Sequence, residues 1–237
     1  MEAANQICNI TISLLVAHGI KHVVLSPGSR NAPLIVAAAK EKSLNKVVVV
    51  DERSAAFVAL GLATSTNGKE PVALICTSGT ALLNYSPAIA EAYYRNLPLI
   101  VISADRPYEW IDQDDSQTLN QFEALSKFVK KSYNLPPLCQ TKNQEWYVNR
   151  IVNDAIITSN SGKKGPIHLN IQLDEPLSQY IGEFQPDAQV KGFSGLNITA
   201  LMSIRDFATA FSTVSILLYF SNVIHIFAPV FQRPAHI

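Results

Sequence analysis

The sequence predicts an α/β domain built on a parallel sheet with helices on both faces. Three observations carry that prediction. Short β-branched runs alternate with stretches of helical apolar period from residue 6 to residue 171, the runs are apolar at successive positions, and polar clusters follow the runs. Strands apolar at every position are covered on both faces. Strand and helix in alternation imply βαβ units, with right-handed crossovers and functional loops beyond the carboxyl ends of the strands.

In chain order, Ile7, Ile10, Ile12, Leu14 and Leu15 recur at helical spacing over Gln6 to Ala17, and His18-Gly19 closes that helix. His22 to Leu25 reads as a strand, Ala32 to Lys42 as a helix, Lys46 to Val50 as a strand and Ser54 to Thr66 as a helix. The pattern continues with a strand at Val72 to Cys76, one helix over Ala81 to Arg95 and a strand at Leu99 to Ser103. A short strand near Lys131 to Leu135, a helix over Gln144 to Ser159 and a strand at Ile167 to Ile171 complete it.

Composition excludes several functions. The 237 residues carry 19 Lys plus Arg against 19 Asp plus Glu, so no global field recruits nucleic acid or an anionic membrane. Cys8, Cys76 and Cys139 are odd in number and have no CxxC spacing, which argues against disulfides or a zinc site and fits a reducing cytoplasm. Glu2, Asn5 and Gln6 interrupt the N-terminus, so no signal peptide is read there.

The character changes after Phe184. Pro186, Asp187, Gly192, Ser194 and Gly195 read as a linker, and Phe207 to Phe231 holds no Lys, Arg, Asp or Glu. That stretch is long enough to cross a bilayer, yet Asn222, His225 and Pro229 dilute it. The expected division is a domain over 1–184 and a linker with an atypical apolar tail over 185–237, a replaced or frame-shifted end; a membrane helix is the other reading.

Polar clusters follow each of the first four strands: Ser26 to Arg30, Asp51-Glu52, Thr77 to Thr80 and Asp105-Arg106. Thr77, Ser78, Gly79 and Thr80 precede a helix, where free backbone N–H groups favour anions or polar rings; the plain alternative is an ordinary helix cap. Glu52 sits between an apolar strand and an apolar helix. A carboxyl partly desolvated there has a raised pKa and suits proton sharing with a heterocyclic nitrogen, while the alternative is charge complementarity with the helix end. Arg30 and Arg106 lie on convergent loops, and two guanidinium forks suit a ligand bearing carboxylates, with surface ion pairs as the alternative. Gln117 offers a neutral hydrogen bond to the same ligand. His22 and His168, each in or beside an apolar strand without a companion ligand, read as core packing, and no metal-binding residue is assigned. No catalytic triad, phosphate-loop lysine or dinucleotide fingerprint is readable.

The strings SPGSRNAPL, DERSAAFVALGLA, CTSGTALLNYSPAIAEAYYRNLPLIVISADRP and GPIHLNIQLDEPL resemble the N-terminal domain of the 2-succinyl-5-enolpyruvyl-6-hydroxy-3-cyclohexene-1-carboxylate synthase family, thiamine-diphosphate enzymes of menaquinone biosynthesis. The likeness runs from Met1 to about Phe184, and SPGSR with DERSA separates it from other thiamine-diphosphate carboligases. It implies a transferase that decarboxylates 2-oxoglutarate and adds the succinyl unit to isochorismate. It implies that Glu52 bonds the aminopyrimidine ring of the cofactor and is catalytic, that Thr77 to Thr80 line the pyrimidine, and that Ser29, Arg30, Arg106 and Gln117 hold substrate. Such enzymes bind Mg²⁺ and the diphosphate through a Gly-Asp-Gly motif in a C-terminal domain of another subunit, and no Gly-Asp-Gly occurs in this sequence. The resemblance therefore implies a homodimer or higher oligomer for the family, and negligible activity for this chain unless a diphosphate-binding domain is supplied.

Overall fold

The computed structural model describes residues 2–137 and 139–174. The chain divides into Met1–Glu183 and Phe184–Ile237, and every described residue belongs to the first unit. The linker and the apolar stretch Phe207 to Phe231 lie outside the described residues.

Six strands form one parallel sheet: β1 (His22–Leu25), β2 (Asn45–Val48), β3 (Val72–Cys76), β4 (Leu99–Asp105), β5 (Ser132–Leu135) and β6 (Ile167–Gln172), in the order β2-β1-β3-β4-β6-β5. The helices are α1 (Glu2–Ala17), α2 (Ala32–Lys40), α3 (Glu52–Ser65), α4 (Thr80–Asn84), α5 (Ser86–Tyr94) and α6 (Lys142–Asn160). Side-chain alternation along β3 separates the two layers. Ala73 and Ile75 join the core under α1, α2 and α6, while Val72, Leu74 and Cys76 join the core under α3, α4 and α5. Burial on both faces explains why β3 and β4 are apolar almost throughout.

Local signals account for the boundaries. Thr141 and Gln144 form a capping box, so α6 begins at Lys142, two residues before the apolar period suggests. Asp51 caps α3 by accepting from the Ser54 N–H at 2.7 Å, which starts that helix at Glu52 rather than Ser54. The single helix expected over Ala81 to Arg95 is two helices. Pro87 lies in the first turn of α5, where its missing N–H costs nothing, so the chain reorganises at Tyr85 and restarts. Strand β6 departs from the purely apolar expectation. Its Ile167, Leu169 and Ile171 pack under α6, whereas His168, Asn170 and Gln172 are polar and still buried.

Strand order reverses between β1, which leads outward to β2, and β3, which leads the other way; the reversal places a crevice at the carboxyl ends of β1 and β3. Among the described residues no helix is long and apolar enough to cross a membrane.

Candidate active site

Glu52 is delivered by the β2 to α3 junction. Because Asp51 takes the capping role, Glu52 is left as the first helical residue with its side chain half-buried. Burial raises its carboxyl pKa above the ordinary value, the Asp51 charge adds to the rise, and a backbone hydrogen bond partly offsets it. Asp51 is held low by its hydrogen bonds from Ser54. Both readings hold at this cluster: Asp51 caps the helix, and Glu52 is the acid of its first turn as well as a partly desolvated carboxyl. An open depression of about 650 Å³ along the first turns of α3 is lined by Asp51, Arg53, Ser54, Phe57 and Val58.

The loop after β3 does not behave as a helix cap. Gly79 occupies the cap position of α4 with φ +81°, and no side chain caps that helix. The hydroxyls of Thr77 and Ser78 are instead buried without a hydrogen-bond partner. A buried hydroxyl with no partner costs about 1–3 kcal/mol, so two side by side mark a place where a ligand can supply partners. Thr80 is exposed at the start of α4. Glycine is required at 79 on two counts: its left-handed φ, and a Cβ that would lie 2.9 Å from the Gln117 carbonyl oxygen.

The loop after β1 is fixed from within. Asn31 accepts the Gly28 N–H and donates to the Ser26 carbonyl, both at 2.8 Å, and the buried Tyr85 hydroxyl lies 3.0 Å from Ser26 Oγ and from the Ile75 carbonyl. Gly28 presses on Thr77, since a Cβ there would meet the threonine side chain at 2.5 Å. The loops of β1 and β3 therefore form one unit. Ser29 at its tip is exposed.

Neither arginine is an idle surface charge. Arg30 is only 3% exposed, and its Nη1 donates to the Leu173 carbonyl at 2.8 Å. Arg106 pairs with Asp115 at 2.8 Å and donates from Nη2 to the Ser116 carbonyl at 2.9 Å. The Leu173 N–H bonds the Asp105 carbonyl at 3.0 Å, so the two loops meet at the ends of β4 and β6. Gln117 is exposed with φ +53°, an unusual conformation for glutamine, and its backbone lies against Gly79.

A second group of polar residues, unassigned from sequence, lies beneath these loops. Gln121, fully buried, accepts the Gly79 N–H at 3.0 Å, and its Nε2 lies 2.8–2.9 Å from Ser103 Oγ, the Ala104 carbonyl and Asn170 Oδ1. Asn170 donates to Asp105 Oδ2 at 2.7 Å and to Asn134 Oδ1 at 3.0 Å, while Ser103 Oγ lies 2.7 Å from His168 Nε2. Burial raises Asp105 to about 6 and lowers His168 to about 4.

The family profile for the N-terminal TPP binding domain of thiamine pyrophosphate enzymes matches residues 6–124, half of the 237-residue chain. This chain belongs to the thiamine pyrophosphate enzyme family. Its relatives include proteins named 2-succinyl-5-enolpyruvyl-6-hydroxy-3-cyclohexene-1-carboxylate synthase, one of them from Bacteroides thetaiotaomicron, 51% identical over 188 residues, covering 79% of this chain and 33% of the relative. The protein of that name from Desulfotalea psychrophila is 52% identical over 175 residues, 74% of this chain and 32% of the relative. A third, from Cytophaga hutchinsonii, is 51% identical over 164 residues, 69% of this chain and 29% of the relative. The chain spans about a third of the length of these curated relatives.

The site suits the pyrimidine end of thiamine pyrophosphate, also called thiamine diphosphate. Unpartnered Thr77 and Ser78 hydroxyls and a half-buried acid at Glu52 are groups that a polar heteroaromatic ring can satisfy. Among the described residues no group of three or more His, Cys, Asp and Glu side chains could hold a metal ion.

Proposed function

We propose that this chain is the cofactor-pyrimidine part of a thiamine-diphosphate-dependent transferase of menaquinone biosynthesis, which decarboxylates 2-oxoglutarate and adds the succinyl unit to isochorismate. The observation that carries the reading is the half-buried Glu52, its pKa raised by desolvation, at a crevice whose neighbouring loop buries two unpartnered hydroxyls. Bound thiamine diphosphate supplies the carbon chemistry that protein side chains lack. Glu52 hydrogen-bonds a nitrogen of the aminopyrimidine ring and shares a proton there, a task for which a raised carboxyl pKa is suited. Thr77, Ser78, Gly79 and Thr80 line the pyrimidine. Ser29, Arg30, Arg106 and Gln117 hold the carboxylates and hydroxyls of the two substrates, the arginines as charge-assisted donors.

The diphosphate and Mg²⁺ belong to a second domain, supplied by a partner subunit in a homodimer or larger oligomer. Exposed Phe57 and Val58 on α3 and Leu83 on α4 support a docking face beside Glu52. The isolated chain has negligible carboligase activity on this reading. Three unbridged, buried cysteines fit work in a reducing cytoplasm.

Calorimetric titration of thiamine diphosphate and Mg²⁺ into the chain, with and without a separately expressed diphosphate domain from a full-length relative, tests the proposal. Binding and product formation in the mixture are expected. Absence of binding in both would leave the ancestry and remove the function.

A further inference from the structure

We infer that Gln121 is a positioning residue that clamps the substrate-side segment around Gln117 onto the cofactor-side loop Thr77 to Thr80. This deepens the function proposed above and rests on it. Gln121 touches neither reacting group; its whole side chain is spent inside the protein.

The geometry is specific in polarity. One end of the amide, Oε1, accepts the Gly79 N–H at 3.0 Å. At the other end, Nε2 offers its two N–H groups to Ser103 Oγ, the Ala104 carbonyl and Asn170 Oδ1 at 2.8–2.9 Å. The strand ends of β4 and β6 therefore hold the amide, and the amide holds the loop after β3. Four residues earlier in the chain, the Gln117 backbone presses on Gly79 so closely that a Cβ at 79 would come within 2.9 Å of its carbonyl oxygen. Gln121 and Gly79 thus fix the spacing between Gln117 and Thr77-Ser78 from two directions. The left-handed backbone at Asp112, Asp114 and Gln117 leaves this segment little regular structure of its own, so its placement depends on such ties.

Glutamine is the side chain that meets this polarity, and a glutamate of the same shape does so only when protonated. An ionised carboxylate in place of the Gln121 amide would face the Ala104 carbonyl and Asn170 Oδ1, two acceptors, with a third acceptor. Protonated, the carboxyl regains a donor and keeps a carbonyl oxygen for Gly79. The titratable groups already in this network are Asp105 on β4 and His168 on β6, and the wild-type chain measured over the same pH range accounts for both.

The test is amide hydrogen exchange, without ligand, on the full chain and on Gln121→Glu at pH 8 and at pH 5.5, each corrected for the intrinsic rate. At pH 8 protection of the Gly79 amide, the N–H that Gln121 holds, is expected to fall about tenfold in the variant, the scale of one lost hydrogen bond, with β3 and β4 unchanged. At pH 5.5 protection returns. Uniform loss along the chain that pH does not reverse would make Gln121 a merely structural residue, and unchanged protection at pH 8 would make it dispensable; either overturns the inference. Should Gln121→Glu fail to fold at pH 8, Gly79→Ala attacks the same clamp from the other side and should speed limited proteolysis within 112–121 while sparing amide protection in β3; unaltered cleavage there also overturns it. Because no cofactor is present, the outcome is independent of whether thiamine diphosphate binds.

Discussion

The carboxyl edge of the sheet holds two polar regions of opposite design. At the ends of β4 and β6, Ser103, Asp105, Gln121 and Asn170 are buried and bond one another, leaving those side chains committed to the fold. At the end of β3, Thr77 and Ser78 are also buried, but their hydroxyls have no protein partner, and Glu52, whose charge acts on Cys76 just before them, is partly desolvated. The first region bonds most of its polar atoms within the protein, leaving His168 Nδ1 and Gln172 Oε1 without a partner, whereas in the second neither hydroxyl has one and a ligand supplies it in the function proposed here. Burial of polar atoms therefore does not by itself mark a functional site; what matters is whether the protein has already satisfied them.

The contrast breaks most severely at Asn170. Replacing it with alanine leaves Gln121, Ser103 and Asp105 short of partners, and a loss of about 4 kcal/mol is expected from a network deletion of this kind, read as a lowered urea midpoint. An unchanged midpoint would mean that the network contributes nothing.

Next in size is the pH response. Burial raises Asp105 from its ordinary 3.8 to about 6, so between those values the folded state binds the proton more tightly and stability rises as pH falls. His168 moves from 6.5 to about 4, so the folded state resists the proton and stability falls over nearly the same range. Each shift is worth roughly 3 kcal/mol at about 1.4 kcal/mol per unit, with opposite sign. Urea midpoints between pH 7 and pH 4 should therefore show Asp105→Asn losing more stability on acidification than the wild type; parallel profiles would contradict the assignment.

A smaller loss is expected at the border between the regions. Tyr85→Phe removes the hydroxyl that braces Ser26 and the Ile75 carbonyl, costing about 1–2 kcal/mol. The smallest stability effects belong to the second region. Thr77→Val and Ser78→Ala remove hydroxyls that have no partner, so the urea midpoint should stay within about 0.5 kcal/mol of wild type or rise, while titration shows weaker thiamine diphosphate binding in the presence of a diphosphate domain. Marked destabilisation would mean that those hydroxyls are already satisfied.

The difference in design also explains what the sequence could disclose. Strand positions were legible because both faces of β1, β3 and β4 are covered, which leaves an apolar signature in almost every residue. Thr77 to Thr80 were legible as polar residues directly after such a strand, and Glu52 as an acid opening an apolar helix, although β2 before it is an only partly buried edge strand. The network was legible only in part: His168 reads as core packing and is buried, but Asn170 and Gln172 alternate with isoleucine and leucine, a pattern shared by any half-solvated strand, and Gln121 sits unmarked in a long polar stretch. The inward turn of Arg30 was equally hidden, since its partner Leu173 lies 143 residues away. The break at Tyr85 could have been read from Pro87, but the apolar period runs through it.

At the centre stands the crevice at β1 and β3, which receives the pyrimidine with Glu52 as the proton-sharing acid in the function proposed here. The direct measurement is exchange of the thiazolium C2 proton of thiamine diphosphate in the chain complemented by a diphosphate domain, comparing wild type with Glu52→Gln. Exchange slowed by about a hundredfold or more, the scale of a lost general acid-base group, with an unchanged urea midpoint is the result expected; exchange at the wild-type rate would contradict the role of Glu52 and with it that function.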